Sequence, residues 1–271
     1  MVCACLRPAK PFLLAALALL TLPVAAQDRL ASIIIDDIGD SYERIEQLID
    51  ADMALTLAIL PNTRYAKQIA RQAHARGKEI MLHLPLQPVR HQRLTPGTLH
   101  MHMTEQAFRR QLQQHLAAIP HVRGVNNHMG SLMTRHPGTM NWLMQTLARH
   151  DDLYFIDSRT TEKSIATQIA EEYRVPHLQR DVFLDPQYDH QTLEQQFQRF
   201  IDTARTRGSA IAIAHPAPLS IQYILDNVPR LRQHGIRLVP VSQLIQQRQA
   251  QRQLSEADRH VTCTGTACSG L

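Results

Sequence analysis

Short apolar runs alternate with amphipathic stretches along nearly the whole chain, and this rhythm leaves few folds open. The runs Ala31–Asp36, Ala54–Leu60, Glu79–Leu84, Gly124–Asn127, Leu153–Asp157, His177–Leu184, Ala210–Ala214 and Ile236–Val241 read as strands. Helices are predicted between them over Tyr42–Ala51, Tyr65–Ala75, Glu105–Ile119, Met140–Arg149, Ile165–Tyr173, Leu193–Arg205, Leu219–Gln233 and Ser242–Gln253. Strand and helix in strict alternation is the pattern of βα units on a parallel sheet. About 245 residues without a Gly/Ser linker or charge block fit one core, so we expect a (β/α) barrel of seven or eight parallel strands. The helix at Leu193 illustrates the assignment. Leu193, Phe197, Phe200, Ile201 and Ala204 recur at three- and four-residue spacing, polar residues fill the other face, and Gly208 follows as a stop signal. Pro229 lies inside the Leu219–Gln233 pattern and should kink or divide it.

The first apolar run, Ile33-Ile34-Ile35, ends in two adjacent acids, Asp36 and Asp37. Neighbouring carboxylates repel and lose hydration when buried, so a bound cation or a shared proton has to offset the cost. Asp40 or Ser41 is better placed to cap the following helix, which leaves the pair unexplained by capping. Other polar residues share this topological position. His83 ends the third strand, His128 follows the fourth, Asp157 ends the fifth, Arg180 and Asp181 lie within the sixth, and His215 follows the seventh. In a (β/α) barrel the carboxyl ends of the strands gather at one mouth, where catalytic groups collect. Any one of the 15 histidines could be placed by chance; several at equivalent positions are a stronger signal. The Pro- and Gly-bearing segment from Pro85 to His102 should be a loop over the same mouth.

Residues 1–26 read as a secretory signal, with Arg7 and Lys10, the apolar stretch Phe12 to Leu22, and small residues Val24-Ala25-Ala26 before the cut. That stretch is short for a membrane span, so no stable span is expected after cleavage. Losing Arg7 and Lys10 lowers the formal charge from +5 to +3. A mildly basic exported protein suits an anionic envelope, and gives no reason to expect a nucleic-acid partner. We therefore divide the chain into a signal (1–26), a barrel domain (27–250) and a polar, flexible C-terminal tail (251–271), in a periplasmic or secreted protein. Cys263 and Cys268 could close a small loop in that tail or remain free thiols.

The segments Ile34-Ile35-Asp36-Asp37, Glu79 to Leu86 (EIMLHLPL), Gly124 to Ser131 (GVNNHMGS), Phe155-Ile156-Asp157-Ser158-Arg159, Arg180 to Asp185 (RDVFLD) and Ala212-Ile213-Ala214-His215-Pro216, in this order, resemble the divergent polysaccharide deacetylases. These are related to carbohydrate esterases that remove acetyl groups from N-acetylated glycans, and the resemblance spans roughly Leu30 to Leu244. It implies a metal-dependent hydrolase of an amide bond in a polysaccharide or peptidoglycan-type substrate. It makes Asp36 the general base and Asp37 and His83 metal ligands. The family's usual second histidine falls on Gln87, so His128 is the replacement ligand. One carboxylate and two imidazoles suit a divalent ion, Zn2+ first. His215 matches the family's general acid, with Asp157 expected to orient it; Arg180 would neutralise a carboxylate or bind a substrate oxygen. Asn126-Asn127 stand where the family has an arginine-proline motif that braces the base. The competing readings are a non-catalytic glycan- or partner-binding pseudoenzyme and, last, a hydrolase of a different bond.

Overall fold

The computed structural model describes residues 29–265, with side-chain environments through residue 253. The signal segment and the possible Cys263–Cys268 pairing lie outside what is described. The strands are β1 (Arg29–Ile38), β2 (Thr56–Ile59), β3 (Glu79–Leu86), β4 (Val122–Met129), β5 (Tyr154–Asp157), β6 (His177–Gln179), β7 (Val182–Phe183), β8 (Ser209–Ala214) and β9 (Ile236–Leu238). The helices are α1 (Glu46–Asp50), α2 (Ala66–Ala75), α3 (Glu105–Ala118), α4 (Pro137–Leu147), α5 (Ala166–Glu172), α6 (His190–Arg207), α7 (Pro218–Asn227), α8 (Arg230–Gln233) and α9 (Val241–Gly265). All strand pairings are parallel, in the spatial order β6-β5-β4-β3-β2-β1-β8-β7, with β9 beside the start of β1.

The expected sixth strand is a single passage that changes partner midway. β6 pairs with β5, then the Arg180 N–H donates to Asp157 O and the Asp181 N–H to Ile211 O, and β7 continues along β8. This handover brings the two ends of the strand array together, and the molecule is a (β/α) barrel. β8 occupies one edge of β1 from Leu30 to Ile35, so β9 pairs Arg29–Ala31 on the other edge, ahead of β2, which begins at Ile34. Pro229 separates α7 from α8, as its missing N–H requires. Residues 251–265, expected as part of a polar tail, instead continue α9.

Two apolar clusters sort by strand alternation. Ala31, Ile33 and Ile35 of β1 pack outward with the helices, while Leu30 and Ile34 join Ala58, Met81, Tyr154, Ile156, Ile211 and Ile213 inside the barrel. The first turn of α9 closes the floor, sending Val241, Leu244 and Ile245 into this inner cluster. Glu79 sits buried there: it accepts from Thr56 Oγ1 (2.9 Å), Tyr154 Oη (2.7 Å) and the Ser242 N–H (3.2 Å), so its carboxylate meets the amino end of α9. Gly124 is required by space, because a Cβ there would lie 2.2 Å from the Tyr154 ring.

Candidate metal centre

The inward-facing sequence of β1 continues from Leu30 and Ile34 to Asp36, which is 3 % exposed. Simple alternation would turn Asp37 away. The β1–β2 register shifts between Ile35 and Ile38, and Asp37 takes a left-handed φ of 55°, so both carboxylates serve the same mouth. Met129 at the end of β4 and Arg159 after β5 also hold positive φ (54° and 51°), which places three non-glycine residues in strained backbone around one rim.

Asp37 Oδ1 lies 3.1 Å from His83 Nε2 and 2.8 Å from His128 Nδ1. These three atoms lie within 4.8 Å of one another, yet Oδ1 is buried without a hydrogen bond of acceptable geometry. Three lone-pair donors converging on a point with no proton in line between them is what a divalent cation needs. The tautomer of His83 agrees. Asn126 Nδ2 donates to Asp36 Oδ1 (2.7 Å), which fixes Asn126 Oδ1 as the acceptor for His83 Nδ1–H (2.7 Å) and makes Nε2, facing Asp37, the nitrogen that gives up its proton to a bound ion. His128 Nε2 is held by Thr95 Oγ1 (3.1 Å) from the loop over the mouth. The residue set therefore fits a metal. Gln87 does not join it; its Oε1 accepts the Met101 N–H and pins the loop.

Electrostatics follow from burial and crowding. Burial raises the Asp36 carboxyl above its ordinary value, and the nearby His83, His215 and Asn126 only partly oppose this. Burial acts the same way on Asp37, but the adjacent His128 and His83 outweigh it and hold that carboxyl well below the usual range. Burial would lower His83, yet the charges of Asp36 and Asp37 push it up to about 9. The cluster thus carries negative charge that a proton or a cation must balance.

On the other side of the mouth, His215 Nε2 lies 3.8 Å from Asp37 Oδ2. Its partner is Asp185, not the expected Asp157. Asp185 Oδ1 meets His215 Nδ1 at 3.1 Å, while Oδ2 accepts the His215 N–H (2.8 Å) and the Ser220 hydroxyl (2.7 Å). Burial lowers the His215 pKa, but its bond to Asp185 and the charges of Asp36, Asp185 and Asp37 raise it overall. Asp157 follows the inward-facing Ile156 by one residue and so falls on the other face of β5; its Oδ1 accepts the Arg159 N–H. Asp181 accepts the Ile211 N–H and pairs with Arg207 and Arg248, away from the metal ligands. Arg180 and Arg159 line the same 400 Å3 cavity as Asp36, Asp37, His83, His128 and His215. Asn126 and Asp185 are the site residues to which the sequence reading gave no role. Both stand within the motif segments: Asn126 occupies the position where the family braces the base, while Asp185, a second acid four residues after Asp181, carries no signal of its own.

The model of the divergent polysaccharide deacetylases matches residues 33–245. The chain belongs to that family. A relative, the uncharacterized protein YibQ of Escherichia coli K12, is 37 % identical over 235 residues, covering 87 % of this chain and 72 % of YibQ. Among solved structures, the uncharacterized protein ATU2773 of Agrobacterium tumefaciens C58 superposes with a TM-score of 0.77 at 24 % identity, covering 81 % of this chain and 90 % of that one. A T48 deacetylase solved with substrate gives 0.51 at 15 % identity over 81 % of this chain and 92 % of its own. These two likenesses concern the fold of the deacetylase barrel.

Proposed function

We propose that this divergent polysaccharide deacetylase is an exported hydrolase, periplasmic or secreted, that removes N-acetyl groups from an envelope or exported glycan of the peptidoglycan type. The observation that carries the reading is the convergence of Asp37 Oδ1, His83 Nε2 and His128 Nδ1 within 4.8 Å, with Asp36 and His215 lining the same cavity. Those three residues would hold the divalent ion, for which Zn2+ matches one carboxylate and two imidazoles. What such an ion supplies is Lewis acidity, polarising the amide carbonyl and making water acidic enough to attack near neutral pH.

The chain's own residues account for the protons. Asp36, buried and held by Asn126, accepts the proton of the attacking water at its carboxylate; its raised pKa makes it a stronger base than an exposed aspartate. His215, kept protonated by Asp185, donates from Nε2 to the departing amine nitrogen. Among the described residues no helix is long and apolar enough to cross a membrane.

The test is elemental analysis of the purified mature chain beside His83→Ala, followed by assay of acetate release from N-acetylated glycans. About one equivalent of divalent ion in the wild type, little in the variant, and acetate release only by the former is the expected result. Bound metal without acetate release from any glycan would replace the hydrolase with a glycan-binding protein.

A further inference from the structure

One wall of the catalytic cavity is cationic. Arg159 and Arg180 both line it, beside Phe183, Met129 and Thr160. Arg180 uses its Nε–H on Ser158 O (2.8 Å) and an Nη2–H on Arg159 O (3.1 Å), and among the described residues its Nη1 makes no hydrogen bond. Arg159 uses one Nη1–H on Gln179 Oε1 (3.1 Å), and among the described residues its Nε and Nη2 make none. No carboxylate among the described residues comes within 4 Å of either guanidinium. At longer range Asp157 and then Asp36 act on the Arg180 guanidinium, but neither comes close enough to occupy its free N–H group, which is left for a ligand in the cavity.

Such an arrangement is costly. Arginines at a part-buried wall lose hydration, like charges repel, and Arg159 is held at a φ of 51°, where residues with a Cβ are strained. A guanidinium pair with free N–H groups beside a reacting centre is suited to a planar anion, which it can grip through parallel hydrogen bonds. The Arg180 guanidinium also lies 5.2 Å from the centre of the Phe183 ring, giving the wall a flat apolar face next to its charge. A sugar ring that carries a carboxylate presents both features.

We propose that the substrate is an N-acylated glycan whose sugars bear a carboxylate, and that Arg159 and Arg180 recognise it. This inference deepens the hydrolase reading and rests on it for the position of the reacting amide. Two carboxylate sources share the chemistry: a lactyl ether substituent and the C6 acid of a uronic sugar.

The experiment uses four N-acetylated oligomers of equal length: one with lactyl carboxylates, the same one after amidation of those carboxylates, one with uronic acids, and a neutral one. Calorimetry on the Zn2+-loaded Asp36→Asn chain, which blocks turnover, gives affinity; kcat/KM for acetate release by the wild type gives the second readout. At least one charged oligomer should bind about tenfold or more tightly than the neutral ones at low salt, the margin narrowing as salt rises. The preferred charged oligomer identifies the source. Arg159→Gln should bring the ratio of charged to amidated affinity close to one. Arg180→Gln removes bonds to two backbone carbonyls and could loosen the wall, so Arg180→Lys is measured with it; a lysine keeps the charge but loses the fork and should recover only part of the preference. Equal affinity for charged and amidated oligomers, or a preference that survives in Arg159→Gln and Arg180→Gln, would overturn the inference. The two readings separate cleanly. Selective binding of the charged oligomer without acetate release keeps the anionic ligand and removes the hydrolase. Equal acetate release from charged and neutral oligomers does the reverse.

Discussion

Replacing Asn126 tests how the metal ligands and the base are tied together. The side chain is fully buried and makes two 2.7 Å bonds, one as donor to Asp36 Oδ1 and one as acceptor from His83 Nδ1. Asn126→Ala deletes both partners at once. It leaves an aspartate 3 % exposed and a histidine 2 % exposed, each with a hydrogen-bonding group unmet. Bonds to charged groups contribute about 1.5–3 kcal/mol each, so the metal-free variant should lose roughly 3–6 kcal/mol of unfolding free energy. His83 also loses the group that fixes its tautomer, and such outer partners typically change metal affinity by about 10- to 100-fold. Urea denaturation of the metal-free chain, paired with competition against a zinc-chelating indicator, measures both quantities. Metal affinity within twofold of wild type together with a stability loss under about 1 kcal/mol would refute the relay, showing that neither Asp36 nor His83 depends on Asn126.

Glu79→Ala should cost about 1–3 kcal/mol in urea unfolding for each polar group it leaves unmet, because it strands the Tyr154 hydroxyl and the amino end of α9 in the barrel floor; a loss below about 1 kcal/mol would contradict that. His128→Ala should abolish metal binding in dialysis and elemental analysis while Gln87→Ala retains it, since Gln87 is bonded to the Met101 backbone; full occupancy in His128→Ala would remove His128 from the ligand set. Burial lowers the pKa of His115, whose Nε2–H donates to Gly97 O at 2.8 Å. The unfolded chain then binds the proton more readily than the folded one, so this contribution to stability is present above the unfolded pKa of about 6.5 and is lost as pH falls below it. Urea midpoints at pH 7.5 and 5.5 should therefore converge in His115→Gln relative to wild type, and an unchanged gap would count against the assignment.

The loop over the mouth shows how far pattern reading reaches. Its lack of period and its Pro and Gly content marked residues 85–102 as a loop, and its end of the barrel was inferred from the strand that precedes it. Its bond to the site, Thr95 to His128, and the Gln87 bond to the Met101 N–H that pins the loop on itself depend on the path the chain takes across the mouth, which no local signal encodes. The sixth strand was legible as one apolar run, His177–Leu184. Its change of partner from β5 to β8 is set by where the two ends of the sheet meet.

The sequence by itself determined the βα rhythm, the single parallel barrel, the family and the group of acids and histidines at the strand ends, because these rest on short-range periodicity and on residue types that are costly to bury. Tertiary structure decided which of those groups touch. Asp185 rather than Asp157 holds His215, since one residue of alternation puts Asp157 on the far face of β5. Asp37 joins Asp36 only through a register shift and a left-handed φ. Asn126 meets Asp36 across 90 residues of chain, a contact made by inward-facing positions on β4 and β1 across the barrel interior and invisible to any pattern along the strand.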